Sequence, residues 1–485
     1  MRLPLLGIFT AYLLLTTAAV ACTAEHRTAD APATAATAAP ATASAVAARE
    51  RARERTKAHD FNGDGYADLV IGVPQATVNG VPQAGRVEVA YGSASGVTAG
   101  PRQIISRESR AAKEEGFGKA LASGDLDHDG YADLVIAAPG DDERASSVVI
   151  VFGSAQGLSG GLVELEQPRK ARGFGDRLAV GDFDGDGFDD LAVTTHYAWD
   201  TAESTWETTG TVWVTTGSRD IRTGKAGWKA VLRDVDVIAD LTAGDITGDG
   251  YSDLAVFYAE DDPADEGSGA VYRGSPQGLT GPLGETFPGW DVRHLAIGDL
   301  DGDGYGDLVN ESAFDEYDWY DERERELGAI SVRRGSANGL IDPRTSWSMT
   351  SPGLPRAPEG TEGFGSAIAV GDVNGDGYAD VAVVARRDEF SGLAAVFVLY
   401  GGPDGLSAKG SQVFDTTSAG MSADASVSGF GRTVALLDLD GDGRDELVIS
   451  TRSPEQVTVL SPSGKGQTIQ IVPERQEEDF GKTLR

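Results

Sequence analysis

The sequence is poor in sulfur and in imidazole. It holds one cysteine, Cys22, three methionines and five histidines among 485 residues. One cysteine excludes an intramolecular disulfide, so the fold must be held by its core, by metal, or by both. No G-x-S-x-G, H-E-x-x-H or P-loop motif is present. We therefore predict that the chain is not an enzyme, with a cell-envelope hydrolase acting on a glycan or ester as the alternative.

Basic residues are also few. The chain has 41 Lys and Arg against 76 Asp and Glu, a net charge of −35. Such a surface repels phosphate groups, which excludes nucleic acid as an expected partner. The acids indicate either an ordinary acidic protein or a set of metal ligands.

Residues 1–21 have the pattern of an export signal, with Arg2 followed by a mostly apolar run over 3–20. The segment Ala19-Val20-Ala21-Cys22 resembles a bacterial lipobox, in which Cys22 would be lipidated, although Ala19 stands where leucine is usual. The same residues fit ordinary A-x-A cleavage, which would release a secreted protein. We predict a cell-surface lipoprotein and keep free secretion as the alternative.

Residues 22–57 form the second predicted segment. Residues 23–48 are dominated by Ala, Thr and Pro and predict a flexible tether. An alanine-driven helix is the competing interpretation, and Pro32 and Pro40 argue against it. Residues 49–57 are basic and would be solvated or lie on anionic headgroups.

A nine-residue segment of the form D-x-[DNT]-x-D-G-x-x-[DE] occurs seven times in residues 58–485. We number these segments loops 1 to 7 and their residues positions 1 to 9. The loops span residues 60–68, 125–133, 182–190, 245–253, 299–307, 372–380 and 438–446. Their starts are 54 to 73 residues apart, which indicates a repeat architecture.

Each loop runs into an apolar segment typical of a β-strand, such as LVIGVP from Leu69 and LVIAAP from Leu134. A turn, another strand and often a Gly-Ser turn follow. Four short antiparallel strands per repeat predict an all-β, seven-bladed β-propeller with one calcium-binding loop per blade. The final DFGKTLR matches GFGKAL from Gly116, so the C-terminal strand would close the ring with the N-terminal blade.

The Gly-Phe-Gly signature recurs before four of the loops, from Gly116, Gly173, Gly363 and Gly429. Together with seven acidic loops, it resembles the FG-GAP β-propeller of integrin α-chain N-terminal regions. The resemblance covers residues 58–485 and implies a calcium-binding, adhesion-type protein. It also implies that the metal loops line one face and that ligands dock on the opposite face. Because propellers have many functions, the partner stays open between an extracellular protein and a glycan.

Calcium prefers six to eight oxygen ligands, and positions 1, 3, 5 and 9 with the carbonyl of position 7 supply such a shell. An EF-hand is rejected because position 12 is apolar, as at Ile71. We expect up to seven Ca²⁺ ions, with the weakest site in the loop from Asp245. The predicted ligands are Asp60, Asn62, Asp64, Tyr66, Asp68, Asp125, Asp127, Asp129, Tyr131, Asp133, Asp182, Asp184, Asp186, Phe188, Asp190, Asp245, Thr247, Asp249, Tyr251, Asp253, Asp299, Asp301, Asp303, Tyr305, Asp307, Asp372, Asn374, Asp376, Tyr378, Asp380, Asp438, Asp440, Asp442, Arg444 and Glu446.

Long turns rich in aromatic side chains follow the second strands of the third and fifth repeats, over 195–210 and 310–328. They predict a partner-binding surface or, equally, aromatic rings that pack on each other. The candidate residues are Trp199, Trp206, Phe314, Tyr317, Trp319 and Tyr320. We expect a monomer that meets the membrane only through its N-terminal lipid anchor. A purely structural envelope protein is a further alternative.

Overall fold

The computed structural model describes residues 58–485 with gaps, all within one compact unit inside Thr42–Arg485. The gaps are 109–111, 114, 141–145, 169–172, 196–197, 201–204, 208–209, 236, 260–266, 284–286, 290–293, 313–327, 387–393, 419–427, 454, 463–467 and 474–478. The predicted signal, Cys22 and the tether lie outside the described residues.

Seven four-stranded antiparallel sheets, the blades, account for almost all of the regular structure. Blade 1 contains β30 (Thr483–Leu484), β1 (Leu69–Val73), β2 (Arg86–Ala90) and β3 (Gln103–Ile105). Blade 2 contains β4 (Ala120–Gly124), β5 (Asp133–Ala138), β6 (Ser147–Phe152) and β7 (Ser159–Glu164). Blade 3 contains β8 (Leu178–Gly181), β9 (Asp190–Thr195), β12 (Gly210–Thr215) and β13 (Lys229–Val235).

Blade 4 contains β14 (Val237–Gly244), β15 (Asp253–Ala259), β16 (Gly267–Tyr272) and β17 (Phe287–Gly289). Blade 5 contains β18 (Leu295–Gly298), β19 (Asp307–Ser312), β20 (Ala329–Arg334) and β21 (Ile341–Trp347). Blade 6 contains β22 (Phe364–Gly371), β23 (Asp380–Arg386), β24 (Ala394–Tyr400) and β25 (Ser407–Phe414). Blade 7 contains β26 (Val434–Leu437), β27 (Glu446–Thr451), β28 (Gln456–Leu460) and β29 (Ile469–Ile471).

Two further elements lie between the second and fourth strands of blade 3. A hairpin of β10 (Ala198–Asp200) and β11 (Thr205–Glu207) extends from the connection between β9 and β12. A 3-10 helix over Arg219–Thr223 follows β12. First strands of successive blades contact one another, which places them around the axis of the ring.

The ring is closed within blade 1, where the last strand in chain order pairs with the first. Leu484 lies opposite Ile71, and Thr483 lies opposite Gly72. Beyond the strand, the backbone N–H of Arg485 donates to the carbonyl of Val70 at 3.1 Å. The predicted seven-bladed fold and its closure by this strand are therefore confirmed.

The hydrophobic core is divided among the blade interfaces. Seven clusters of buried side chains are present in the described residues, and each combines strands of two adjacent blades. The cluster between blades 7 and 1, for example, contains Ile71, Val459 and Phe480. Burial of this kind makes each blade depend on both neighbours for its apolar contacts.

The Phe-Gly pairs explain how a blade is held at its inner edge. Phe117 is fully buried between blades 1 and 2. The next residue, Gly118, has φ of +89°, and its N–H donates to the carbonyl of Ala137. A Cβ there would lie 2.9 Å from Val87 Cγ2, so the position requires glycine.

Candidate metal centre

Six of the loops connect the first strand of a blade to the second, and loop 1 leads directly into β1, the second strand of blade 1, so all seven loops lie at one face of the ring. Strands alternate in direction, so the connections between second and third strands lie at the opposite face. The fold thus brings 35 predicted ligands, widely spaced in the sequence, to one side of the molecule.

Within each loop, acidic side chains organise the backbone. In loop 1, Asp60 Oδ1 accepts a hydrogen bond from Gly63 N–H at 2.7 Å, and its Oδ2 accepts one from Gly65 N–H at 2.8 Å. Asp64 Oδ1 accepts one from Tyr66 N–H at 3.1 Å. These local bonds favour a tight turn and hold the carboxylates of positions 1 and 5 against the loop backbone.

The position 9 acid fastens its loop to the rest of the blade. Asp133 is fully buried; its Oδ2 accepts from Leu126 N–H and its Oδ1 from Gly153 N–H, both at 3.0 Å. Asp68 has the same arrangement with Phe61 and Gly92. Position 9 therefore links the loop to the end of the third strand, a role that the sequence did not indicate.

Burial makes the position 9 carboxylates costly to ionise. Loss of water raises the pKa of Asp133 and Asp380 to about 8, and the pKa of Asp68 to about 7. Their backbone hydrogen bonds and nearby loop acids change the pKa less than burial does. A cation beside these groups would offset the cost, because it favours the charged form.

Each loop is hydrogen-bonded to the loop before it around the whole ring. The N–H at position 8 donates to the carbonyl at position 1 of the preceding loop, at 2.7 to 3.1 Å. The seven pairs are Ala67 to Asp438, Ala132 to Asp60, Asp189 to Asp125, Ser252 to Asp182, Gly306 to Asp245, Ala379 to Asp299, and Asp445 to Asp372. The metal face is thus a closed circle of linked loops.

Side chains at position 7 reinforce this circle. A Cβ added at Gly63, position 4 of loop 1, would lie 2.6 Å from Cε1 of Tyr131, position 7 of loop 2. The same position 4 to position 7 contact joins Gly185 to Tyr251 and Gly441 to Tyr66. Tyr131 was predicted to contribute its carbonyl, and the structure shows that its ring also contacts the neighbouring loop.

Four loops bring three acids together at a spacing suited to a metal ion. One oxygen from each acid lies within 4.8 Å of the others in loops 2, 3, 5 and 7. Oxygens on opposite sides of a calcium ion are separated by about 5 Å, twice the usual bond length. The groups are Asp125, Asp127 and Asp133; Asp182, Asp184 and Asp190; Asp299, Asp301 and Asp303; and Asp438, Asp440 and Glu446.

The donor set fits a hard cation. All of these ligand atoms are carboxylate oxygens, which suit Ca²⁺ or Mg²⁺ better than soft metals. Asp127 is 2% exposed, and its Oδ1 has no hydrogen-bond partner among the described residues. A buried carboxylate oxygen without a donor is costly unless a cation satisfies it. These loops could therefore hold metal ions.

The predicted partner-binding residues fall largely outside the described chain. Phe314, Tyr317, Trp319 and Tyr320 lie in the gap at 313–327. The backbones of Trp199 and Trp206 are opposite each other in the hairpin of β10 and β11. That hairpin belongs to a connection between second and third strands, on the face away from the metal loops.

Comparison with known proteins agrees with the repeat pattern. The FG-GAP repeat family matches residues 57–89, 117–151, 174–214, 364–397 and 430–460. The chain carries FG-GAP repeats. The matched ranges fall in blades 1, 2, 3, 6 and 7, while blades 4 and 5 lack the Gly-Phe-Gly signature and are identified by their four-stranded sheets.

Parts of the chain are also similar in sequence to integrin α-chains and to a phospholipase D. Xenopus laevis integrin alpha-4 is 35% identical over 143 residues, covering 28% of this chain and 13% of the relative. Human integrin alpha-IIb is 30% identical over 179 residues, which cover 36% of this chain and 16% of the relative. Phosphatidylinositol-glycan-specific phospholipase D of Rattus norvegicus is 33% identical over 151 residues, which cover 29% of this chain and 18% of the relative. The chain therefore spans less than a fifth of these relatives.

Among solved structures, the chain is similar to the Dos1 propeller with a TM-score of 0.38 and 12% identity, over 81% of this chain and 83% of that one. Within the described residues, no helix is both long and apolar enough to cross a membrane.

Proposed function

We propose that this chain is a calcium-stabilised extracellular binding protein of the adhesion type, without catalytic activity. The observation that carries the proposal is the convergence of carboxylate oxygens within 4.8 Å in FG-GAP loops. The resemblance to integrin α-chains supports a binding role and an extracellular location. The single cysteine agrees with a fold that depends on metal in place of disulfides.

In this proposal, the acids at positions 1 and 3 hold the ion together with position 9 in loops 2, 3 and 7, and together with position 5 in loop 5. When bound, calcium would supply positive charge at each acidic loop. The chain's own residues then keep the loops in a fixed circle through their backbone hydrogen bonds. A rigid metal face leaves the opposite face as the variable surface, because the connections there differ most in length.

We place partner recognition on that opposite face, at the connections of blades 3 and 5. The hairpin of β10 and β11 is the described part of this surface, and the backbones of its two tryptophans lie opposite each other. Large aromatic side chains commonly anchor protein partners or stack on sugar rings. The N-terminal segment would tether the ring to the cell surface through Cys22, or release it if the alternative cleavage occurs.

Binding can be tested with the full chain in calcium and in chelator. The protein would be screened against a glycan array and immobilised extracellular-matrix proteins. The Trp199→Ala, Trp206→Ala double variant should lose at least tenfold in affinity for whatever is bound. Ile104→Ala is the matched control, because Ile104 is an exposed apolar residue on the outer strand β3 and should leave binding unchanged. Equal loss in the control would contradict the proposed surface.

A hydrolase remains the second candidate, because one relative is a phospholipase D. The purified chain would be assayed against glycan and ester panels, including a glycosylphosphatidylinositol substrate. Calcium-dependent turnover that survives extensive purification would replace the binding proposal. Absence of turnover together with saturable binding would support it, and absence of both would favour a structural envelope protein.

A further inference from the structure

Arginine side chains enter three of the metal loops from outside. Arg222, in the 3-10 helix after β12, contacts Asp127 of loop 2 through Nε. Its Nη2 lies 2.6 Å from Oδ2 of Asp129 in the same loop. The guanidinium also lies 4.4 Å from the ring centroid of Phe152, which fixes it from the other side.

Loops 4 and 5 have a comparable arginine. Arg273 places Nη2 2.7 Å and Nε 3.1 Å from Oδ2 of Asp249 in loop 4. Arg334 contacts Asp301 of loop 5, and its Nη2 lies 3.5 Å from Oδ2 of Asp303. Asp301, like Asp127, is at position 3 and is almost completely buried.

The three guanidinium groups lie at equivalent positions beside their loops. Two of the arginines belong to the same blade as the loop that they contact, and the third comes from the next blade. Arg273 and Arg334 directly precede the glycines whose N–H groups bind the position 9 acid. In blade 2 the residue at that place is Phe152, and the charge is brought there by Arg222 from blade 3. The recurrence of a cation at one place in the repeat indicates a common effect on the loops.

Loop 3 provides the contrast. Its acids Asp182, Asp184 and Asp190 also converge within 4.8 Å. The residue that precedes the corresponding glycine is Thr216, and none of the ion pairs in the described chain joins an arginine or lysine to these three acids. This loop has the ligand geometry without the added positive charge.

We propose that Arg222, Arg273 and Arg334 are resident counter-cations that compete with calcium, so that loops 2, 4 and 5 bind it more weakly than loop 3. This rests on the proposed calcium function and adds the order in which the sites fill. A guanidinium about 5 Å from a divalent ion repels it and also occupies a carboxylate oxygen that the ion requires. Even in a water-like dielectric, this repulsion weakens binding on the order of tenfold. The same arginines reduce repulsion among the acids when calcium is absent.

Equilibrium dialysis with calcium tests the proposal on the wild type, on Arg222→Gln, Arg273→Gln and Arg334→Gln singly, and on the triple variant. Each single substitution should raise the affinity of one site about tenfold, and the triple variant should do so at three sites. In chelator the variants should melt at lower temperature than wild type. Arg219→Gln is the matched control for Arg222→Gln, since it lies exposed on the same 3-10 helix and should change neither quantity.

The substituted side chains are 36% to 52% exposed, so the variants should fold. Arg334→Lys gives a second measure, because it keeps the charge and should retain the low affinity of loop 5. Unchanged or weaker calcium binding in the three glutamine variants would overturn the counter-cation role while leaving calcium binding itself intact. A wild type that takes up no calcium would overturn this inference and the proposed function together.

Discussion

The ring of Tyr131 lies against Gly63, so that loop 2 packs on loop 1 at a residue where a side chain would collide with the ring. Ala132 N–H donates to the carbonyl of Asp60 beside this contact, at 3.0 Å. The pair shows how the metal face is assembled, because each loop supports the next through a ring and a backbone hydrogen bond. Disturbing one loop should therefore affect its neighbour.

Gly63→Ala should destabilise the protein by about 1–3 kcal/mol, because the new methyl group overlaps the Tyr131 ring. Gly63 has φ of +71°, so part of the loss comes from the backbone. Gly80→Ala is the control for that part: Gly80 has φ of +82° and open space around its Cβ position. Denaturant midpoints measure the loss of stability in Gly63→Ala and in Gly80→Ala. In a Tyr131→Ala background, the cost of Gly63→Ala should fall to that of the control; an unchanged cost would contradict the contact.

Calcium removal should lower the melting temperature by several degrees or more. Extracellular calcium sites with dissociation constants near 10⁻⁴–10⁻³ M each contribute about 0.4–1.4 kcal/mol at roughly millimolar calcium. Several sites act on one ring, so their contributions combine. Calorimetry in millimolar calcium and in chelator measures the difference, and a melt that chelator leaves unchanged speaks against metal-stabilised loops.

Asp184→Asn should have opposite effects on the metal-bound and metal-free protein. With calcium, the variant should bind one ion fewer and lose about 1 kcal/mol, because loop 3 lacks a ligand. Without calcium, it should be as stable as wild type or more so, since fewer like charges meet in the loop. Asp220→Asn, on the exposed 3-10 helix, is the control. The idea fails if Asp184→Asn destabilises the chelated protein as much as the loaded one.

Phe480→Ala should cost about as much as Phe117→Ala, roughly 3–5 kcal/mol. Both phenylalanines are fully buried between adjacent blades, the first at the seam of the ring and the second within the continuous chain. Equal costs would show that the seam is as tightly packed as the other interfaces. A much smaller cost for Phe480→Ala, measured by urea unfolding, would show a loosely docked terminal strand.

The pH dependence of stability should report on Asp240, near the axis of the ring. Burial raises the pKa of Asp240 to about 6, although Arg177 lies 3.8 Å away. The folded state therefore holds this proton more tightly than the unfolded state, and stability contributed by the protonated group is lost as pH rises from about 4 through 6.

In saturating calcium, Asp240→Asn should remove this loss and be more stable than wild type above pH 6, by on the order of 1–2 kcal/mol. Comparing the two proteins at each pH cancels the contribution of the other acids. Curves that stay parallel from pH 4 to 8 would show that Asp240 titrates normally.

Strand positions and ring closure could be predicted because their signals are local. The apolar segment from Leu69 became β1, and the final Phe-Gly segment became the seam with β30. The linked circle of loops could not be predicted. The bond from Ala67 to Asp438 joins residues hundreds of positions apart through backbone atoms, which carry no sequence signal. Arg222 was missed for a similar reason, since it acts on a loop of another blade.

The hairpin of β10 and β11 shows a different limit. The segment 195–210 was expected to be a long turn, and part of it forms strands of its own. The pairing of Trp199 with Trp206 depends on cross-strand register, which the spacing of aromatic residues alone does not specify.

On its inner side, β1 pairs with Thr483 and Leu484, which are near the C-terminus. Blade 1 is therefore the first blade to be synthesised and the last to be completed. Until then, an apolar strand with unpaired backbone groups is presented to every other chain nearby. In the exported protein that we propose, this edge would stay unpaired until the C-terminal segment has also been delivered to the same compartment. Production of this chain should therefore depend on factors that protect the edge of β1 until Thr483 and Leu484 pair with it.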